Sequence, residues 1–402
     1  MSNELTQALQ SLFVVALVAA LAPVIVGLIP RLRVPQVVVL IVGGVIVGPQ
    51  VLNLAEPGSI ELLSNVGLGF LFLLAGYELE LTLFRQRAGK LAVIAWVASA
   101  AFAGLLVGLL ASIGFVHAFV PVALGLTTTA LGTLLPILRD NNMLRGSFGS
   151  FVLAGGAVGE FFPIVAIAIF LGSNGRFFGL LSLLAVAVIA LLLSLIPRLA
   201  RGGRVQRILR DGQGATAQTT LRWTVALLLL LLLIANAFGL DAVLGAFLAG
   251  VVLRRWAPGD VTSLDDKLDA VGYGFFIHVF FVTSGMGLDL RSIAQSPERL
   301  LLFFVLLLVV RGLPTLLIYR SALPRPQRFE LVFLMATALP LLVALSEIGL
   351  ETGEMLPENA AALVGAGVLS VLAFPAVAVA IDRRLAASRE AVTGSSQRPL
   401  RQ

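Results

Sequence analysis

The sequence contains no cysteine. Thiol chemistry and disulfides are thereby excluded, and the redox compartment is left open. Charge is scarce. Asp, Glu, Lys and Arg make up 12% of the chain, about half the share usual in a soluble protein. Histidine occurs only at His117 and His278, and neither has a partner visible in the sequence, so both are expected to be packed rather than functional. There is no phosphate loop, metal-ligand cluster or catalytic triad. The glycines of "GGAVG" (155–159) lie inside an apolar run with no strand before them and make no nucleotide site. No cofactor is expected, and the chain is not read as an enzyme. The start, "MSNELTQALQSLFVV", lacks a basic n-region and a small-residue cleavage site. It reads as the lead into a first span rather than as a signal peptide.

What the chain has in abundance is apolar sequence. Hydrophobic residues are 58% of it, and the mean hydropathy is +1.01. Apolar runs long enough to cross a bilayer recur from end to end. A membrane barrel would instead show alternating segments of about ten residues. The expected fold class is therefore an all-α polytopic membrane protein. Thirteen spans are counted: 11–30, 34–53, 61–82, 90–113, 117–138, 148–172, 177–197, 219–238, 240–256, 269–289, 299–319, 328–348 and 359–381. The lipid bilayer is its expected surrounding. The net charge of +6 is assigned to basic loops and not to nucleic-acid binding.

The distribution of Lys and Arg supports this count. "RLR" (31–33), "RQRAGK" (85–90), "RDNNMLR" (139–145), "RLARGGRVQRILR" (198–210), Arg254 and Arg255, "RSALPRPQR" (320–328) and the tail all fall on one side. The alternate loops hold only Arg176, Arg291 and Arg299. The basic side is expected to be cytoplasmic, with the N-terminus outside and the C-terminus inside a plasma membrane.

Four pairs of segments match in order. "LIVGGVIVG" (40–48) matches "AVLGAFLAG" (242–250), and "LAGYELEL" (74–81) matches "TSGMGLDL" (283–290). "TTALG" (128–132) matches "ATALP" (336–340), and "AGGAVGEFFP" (154–163) matches "AGVLSVLAFP" (366–375). The offsets run from 202 to 212 residues, so they belong to one duplicated unit. The expected organisation is a first six-span repeat at 1–172 and a linker span with a basic cytoplasmic loop at 173–218. A second repeat follows at 219–382, and a disordered cytoplasmic tail at 383–402. An offset of seven spans is odd, so the second repeat is inverted, as in many secondary transporters. Glu80 and its counterpart Asp289 then end helices on opposite sides.

Two repeat partners put helix-weakening residues in mid-membrane: "LTTTALGTLLP" (126–136) and "MATALPLLVALSE" (335–347). Threonine favours side-chain to backbone bonding, and Gly and Pro loosen the helical ladder. Such backbone is tolerated in a membrane only where it lines a cavity. Two unwound helices facing each other are expected, broken at Gly132, Pro136 and Pro340, with Thr128, Thr129 and Thr337 among the ion ligands.

Two charges break the repeat symmetry. Glu160 lies midway along the sixth span, where its partner is Leu372; Arg311 lies midway along the eleventh, where its partner falls near Phe102. A midspan charge costs on the order of 3 kcal/mol on insertion scales. A midplane glutamate can hold a proton or a metal cation but not both, and that competition is coupled exchange. Hard cations take oxygen ligands, here Glu160, threonine hydroxyls and freed carbonyls. Gly155, Gly156 and Gly159 permit close approach of the fifth and sixth spans. Arg311 is read as counter-charge. Glu347 is a secondary candidate near the outer end of the twelfth span, and Glu78 ends the third at the basic face.

Five segments carry a family resemblance: "GFLFLLAGYELEL", "TTTALGTLLPIL", "GGAVGEFFPI", "LGAFLAGVVL" and "FFVTSGMGLDL". With these the chain resembles the Kef-type branch of the monovalent cation:proton antiporters, the broad sodium/hydrogen exchanger family. The resemblance implies the NhaA-type fold, with a dimerisation domain, a core domain of crossed broken helices and an elevator-like movement of the core in a homodimer. It implies that Glu160 stands at the family's ion-binding acid and Arg311 at its membrane-embedded base. The chain departs from the family at Gly159, where relatives often carry Asp, Asn or Gln, so a single carboxylate implies one-for-one, electroneutral exchange. Sequence also stops soon after the thirteenth span, so glutathione-gated efflux is not expected.

The function expected is exchange of Na⁺, Li⁺ or K⁺ for H⁺ by alternating access. The rivals are a Na⁺-coupled organic anion symporter of similar fold, which would need a roomier polar cavity, and a non-transporting membrane sensor, which would need no titratable midspan acid.

Overall fold

The computed structural model describes residues 3–28, 35–79, 81–144, 146–170, 176–199, 218–240, 242–256 and 262–396. Glu80, the basic loop over 200–217 and the tail beyond 396 lie outside the described residues. In chain order the helices are α1 (Asn3–Leu28), α2 (Gln36–Val47), α3 (Glu61–Glu78), α4 (Arg87–Ser112), α5 (Phe119–Gly125), α6 (Leu131–Asp140), α7 (Gly146–Phe170), α8 (Arg176–Leu199) and α9 (Thr219–Ala237). They continue with α10 (Ala242–Trp256), α11 (Thr262–Val271), α12 (Ile277–Met286), α13 (Leu290–Gln295), α14 (Pro297–Ile318), α15 (Arg325–Ala336), α16 (Pro340–Glu351) and α17 (Pro357–Ser396). Among the described residues there is no strand.

Each of the thirteen expected spans is occupied. Nine helical stretches among the described residues are long and apolar enough to cross a bilayer, and Gln36–Val47 and Leu180–Leu195 are shorter apolar helices. α10 supplies a further span, and α5 with α6 supplies a split one. The tenth span starts earlier than expected, at Thr262, and carries a π-helical turn at Gly272–Phe276. Such single-turn bulges are tolerated inside long helices, and Gly272 and Gly274 remove two side chains from this one. The last helix runs on through Ser396, into the segment expected to be disordered. Its sequence "RRLAASREA" (383–391) is composed of good helix formers, which explains the extension.

The chain forms two compact units. Unit 1 takes Met1–Glu80 and Ile164–Leu290, and unit 2 takes Leu81–Pro163 and Arg291–Gln402. Each unit therefore draws helices from both halves of the chain. In unit 1, α2 packs on α12 and α3 packs on α10. The repeat partners Gly76 and Gly285 make these contacts close. A Cβ on Gly76 would collide with the carbonyl oxygen of Phe247, and one on Gly285 with that of Ile41. Small residues at helix interfaces let backbones approach in this way. At the basic end of the unit, Tyr77 Oη donates to Asp265 at 2.7 Å, and the Arg254 guanidinium lies 5.2 Å from the Tyr77 ring centroid.

In unit 2, α4 buries a stripe of small residues, Ala88, Ala92, Ala95, Ser99, Ala103 and Val107. Its other face presents Ile94, Val97, Leu105 and Leu109, all exposed. A soluble helix would place polar residues there; here that face suits lipid. The small stripe packs on α14, whose Phe303, Leu307 and Val310 are fully buried. This brings the middle of α14, and Arg311 with it, into the centre of the unit.

Candidate functional site

Both interrupted spans lie in unit 2. α5 ends at Gly125 and α6 begins at Leu131, so the fifth span is unwound between them. Thr127 Oγ1 donates to the carbonyl of Leu124 at 2.7 Å and Thr128 Oγ1 to that of Gly125 at 2.8 Å. These side chains compete with the helical ladder at its end, as threonine does. The twelfth span is unwound between α15, which ends at Ala336, and α16, which opens at Pro340. Pro340 occupies the first turn of α16, where a missing N–H costs no intrahelical bond. Of the three residues expected to break helices, only Pro340 stands at a break. Gly132 and Pro136 both lie within α6, because the threonine run upstream has already interrupted the span.

The two unwound stretches meet. Ala130 N donates to the carbonyl of Thr337 at 2.8 Å, and Thr129 N donates to the carbonyl of Gly159 at 3.0 Å. The second bond ties the first break to α7 at the residue before Glu160. Ser370, on α17, secures the other break. Its hydroxyl accepts from the Ala338 amide at 3.1 Å and shares its one proton between the carbonyls of Ala338 at 2.9 Å and Gly367 at 2.7 Å. Sequence reasoning missed Ser370. The available signal was a lone serine within the apolar "AGVLSVLAFP" (366–375).

Arg311 stands where the stretches cross and is 2% exposed. Its Nη2 donates to Thr129 Oγ1 at 2.8 Å, and its Nε donates to the carbonyl of Met335 at 3.3 Å. Thr129 Oγ1 donates in turn to the Met335 carbonyl at 2.7 Å. Arg311, Thr129 and Met335 thus form a closed triangle that joins the end of α15 to the first break. Its partners, a hydroxyl, a carbonyl and the Met335 sulfur at 3.9 Å, are all neutral.

Glu160 is half-buried on α7. The guanidinium of Arg311 lies against the backbone just before it. A Cβ on Gly159 would sit 2.8 Å from Arg311 Nη2 and 2.5 Å from Thr129 Oγ1. Gly156 meets Leu131 of α6, and Gly155 meets the Met335 sulfur. The glycine run therefore admits both broken spans to α7, not the fifth alone. Thr337 is fully buried and its hydroxyl donates to the carbonyl of Phe333 at 3.0 Å. Glu160, Thr128, Thr129, Thr337 and Arg311 thus all fall at or beside the crossing. Glu347 does not: it is half-buried on α16, seven residues beyond Pro340. In unit 1, His278 is half-buried with its Nε2 3.4 Å from Gln36 Nε2. His117 is exposed in the loop after α4 rather than packed.

Residues 13–380 match the family model described as the sodium/hydrogen exchanger, transmembrane. The chain belongs to the sodium/hydrogen exchanger family. This is a family of membrane transporters, not enzymes, and cation/proton exchange, the class expected from the sequence, is the class it names. The symporter and sensor alternatives are not favoured by it. YjbQ of Bacillus subtilis (strain 168), whose name assigns it to Na⁺/H⁺ antiport, is 28% identical over 385 residues, covering 91% of this chain and 62% of that protein. The Na⁺/H⁺ antiporter NhaS4 of Synechocystis is 26% identical over 305 residues, covering 69% of this chain and 73% of that one. This family member spans only 38% of the length of cation/H⁺ antiporter 18 of Arabidopsis thaliana. The structure of the sodium proton antiporter MjNhaP1 from Methanocaldococcus jannaschii at pH 8 superposes with a TM-score of 0.64 at 17% identity. That match covers 95% of this chain and 97% of the other, and it shows a shared fold.

Proposed function

We propose that this chain exchanges a monovalent cation, Na⁺, Li⁺ or K⁺, for H⁺ at Glu160 by alternating access. The observation that carries the reading is the hydrogen bond from Thr129 N to the carbonyl of Gly159 at 3.0 Å. It fixes the Glu160 helix to the meeting point of two unwound segments. In a membrane interior such a meeting point gathers oxygen ligands and helix ends that no continuous helix offers. The carboxylate of Glu160 binds either a proton or a cation, so loading one displaces the other. The C-terminal end of α15 directs its partial negative charge towards the crossing and favours a cation.

The threonines divide in this role. Thr128 and Thr337 give their hydroxyl protons to their own helices, which leaves oxygen lone pairs to face a cation. Thr129 donates to Met335 and accepts from Arg311, so its part is mainly to hold the crossing. Arg311 supplies a fixed positive charge and limits the further cationic charge the site can hold. With Glu160 as the single exchanging acid, exchange is one-for-one.

The same reading proposes a homodimer in the plasma membrane with the arginine-rich loops cytoplasmic. It also proposes repeats at 1–172 and 219–382, joined by 173–218. Proteoliposomes with a trapped pH dye and an imposed pH gradient test it. Na⁺, Li⁺ or K⁺ should dissipate the gradient with wild-type protein and not with Glu160→Gln. Folded wild-type protein that responds to no cation refutes exchange. A full response from the variant moves the site away from Glu160.

A further inference from the structure

A groove of about 590 Å³ lies wholly within unit 1, between the first turns of α1 and the segment that opens α3. Its volume falls in the range of about 300–1,000 Å³ usual for small-ligand sites. Leu5, Leu9 and Leu12 line one wall, and Ile60 and Leu63 line the other. The three leucines follow the i, i+4, i+7 spacing of a single helical face. The neighbouring face of α1 is already engaged. There Ser11 Oγ accepts from Glu56 N at 3.0 Å, Gln10 Nε2 donates to the carbonyl of Leu54 at 3.5 Å, and Gln7 Nε2 donates to the Glu56 carboxylate. These bonds hold α1 against residues 54–56 and turn its leucines to the groove. At Gly58, which also lines it, an added Cβ would meet nothing within 4 Å.

The groove sits where α1 and α3 both begin, the end of each helix away from the arginines at 31–33 and 85–87. Two polar side chains of α3 line it, Glu61 and Asn65. Both are exposed, and their spacing of four puts them on one helical face. Among the described residues neither has a hydrogen-bond partner. At the end of a spanning helix such groups face lipid headgroups. The two segments that form the groove supply no base: no Lys or Arg occurs at 1–30 or 34–84, while Glu4, Glu56 and Glu61 stand at this end. An anionic headgroup would meet like charge here. A second copy of this chain, docked on the groove across a two-fold axis, would set Glu61 against Glu61. A headgroup that carries an ammonium meets opposite charge.

We propose that this groove seats one acyl chain of a phospholipid with an ammonium headgroup, as in phosphatidylethanolamine. The chain lies along the α1 leucines, against Ile60 and Leu63. The ammonium donates to the Glu61 carboxylate, and the Asn65 amide donates to the lipid phosphate. Residues four apart on a helix have Cβ atoms about 5–6 Å apart, so a single headgroup reaches both. Lipid tails are as apolar as leucine, so the acyl chain selects little. The charge-assisted contact at Glu61 decides which lipid stays. The site is separate from the crossing in unit 2 and does not depend on exchange at Glu160.

Native mass spectrometry of the full chain in detergent tests this. Wild type, Glu61→Gln and Gly58→Leu are titrated with phosphatidylethanolamine or with phosphatidylglycerol of the same acyl chains. Wild type should retain one phosphatidylethanolamine per chain about tenfold more tightly than phosphatidylglycerol, the worth of roughly one charge-assisted contact. Glu61→Gln should bring the two lipids to equal affinity. Gly58→Leu sets a side chain in open space within the groove and should weaken both. Equal retention of the two lipids by wild type, or a preference that survives Glu61→Gln, overturns the inference. So does lipid-free protein of doubled mass that Gly58→Leu returns to a single chain, because a second copy then fills the groove. Glu61 is exposed, so Glu61→Gln keeps the fold and decides alone if Gly58→Leu does not fold. Binding is read without transport, so this site and exchange at Glu160 can each fail while the other stands.

Discussion

Gly159→Ala places a single methyl group where the crossing has no room. The new Cβ would lie 2.5 Å from Thr129 Oγ1, 2.7 Å from Thr129 Cβ and 2.8 Å from Arg311 Nη2. Ordinary contact begins near 3.4 Å, so Thr129 and Arg311 must each withdraw by most of an ångström. Thr129 cannot withdraw cheaply, because its amide is bonded to the carbonyl of Gly159 itself at 3.0 Å. Arg311 can withdraw only by releasing Thr129, its partner at 2.8 Å. Overpacking of a filled interior costs about 1–3 kcal/mol. Loss of a hydrogen bond to a charged group costs about 1.5–3 kcal/mol more. Together they amount to about 2.5–6 kcal/mol at the crossing, enough to lower the unfolding midpoint and to slow exchange by well over tenfold. Thermal unfolding in detergent and gradient dissipation in proteoliposomes both read this. Gly27→Ala is the control, since nothing lies within 4 Å of the position its Cβ would take. If Gly159→Ala matches wild type in both assays, Arg311 and Thr129 do not hold the crossing as described.

Other substitutions separate the roles of the remaining residues. Thr129→Val removes an acceptor from Arg311 and a donor from the Met335 carbonyl; it should destabilise by about 2–3 kcal/mol, seen as a lower unfolding midpoint. Thr128→Val removes only a bond within its own helix end, so it should leave the midpoint within about 1 kcal/mol of wild type and raise the cation KM instead. Ser370→Ala strips both bonds from Ala338 and should cost about 1–3 kcal/mol, with faster hydrogen exchange at the Ala338 amide. Gly76→Ala drives a Cβ into the carbonyl of Phe247 in unit 1; it should abolish stable folding, whereas Gly58→Ala, with open space around it, should not.

The thirteen spans were legible because each is an apolar run bounded by a turn or a charge, and hydropathy reports that directly. The breaks were legible as a pair because the duplication set "TTALG" against "ATALP". Their position was less so. Gly132 and Pro136 are the stronger helix breakers by intrinsic preference, yet both sit inside α6. A glycine in the first turn and a proline one turn further remove little of the ladder, whereas successive threonines offer the backbone other partners. The partners of Arg311 were not legible at all. They come from the first break and from the end of α15, far apart in sequence. The composition of the two units was hidden for the same reason: each unit draws from both halves, which only the packing of glycine-bearing faces reveals. Glu330, fully buried on α15, escaped notice because, read as sequence, it follows an arginine-rich loop and looks like part of it.

Gly159 and Arg311 belong to one arrangement. Position 159 is empty of side chain, and the guanidinium lies against the backbone at Gly159 and bonds to neutral groups of the interrupted spans. Its planar fork suits this, since separate N–H groups point at Thr129 and at Met335 in fixed directions, which a lysine ammonium would not reproduce. The charge of Arg311 therefore serves two ends. It ties the two interrupted spans together, and in the proposed exchange it remains constant while Glu160 changes partner. A site with one fixed cation and one exchangeable carboxylate has the same net charge whether that carboxylate carries Na⁺ or H⁺. Under the proposal that Glu160 is the single exchanging acid, that equality gives one-for-one exchange.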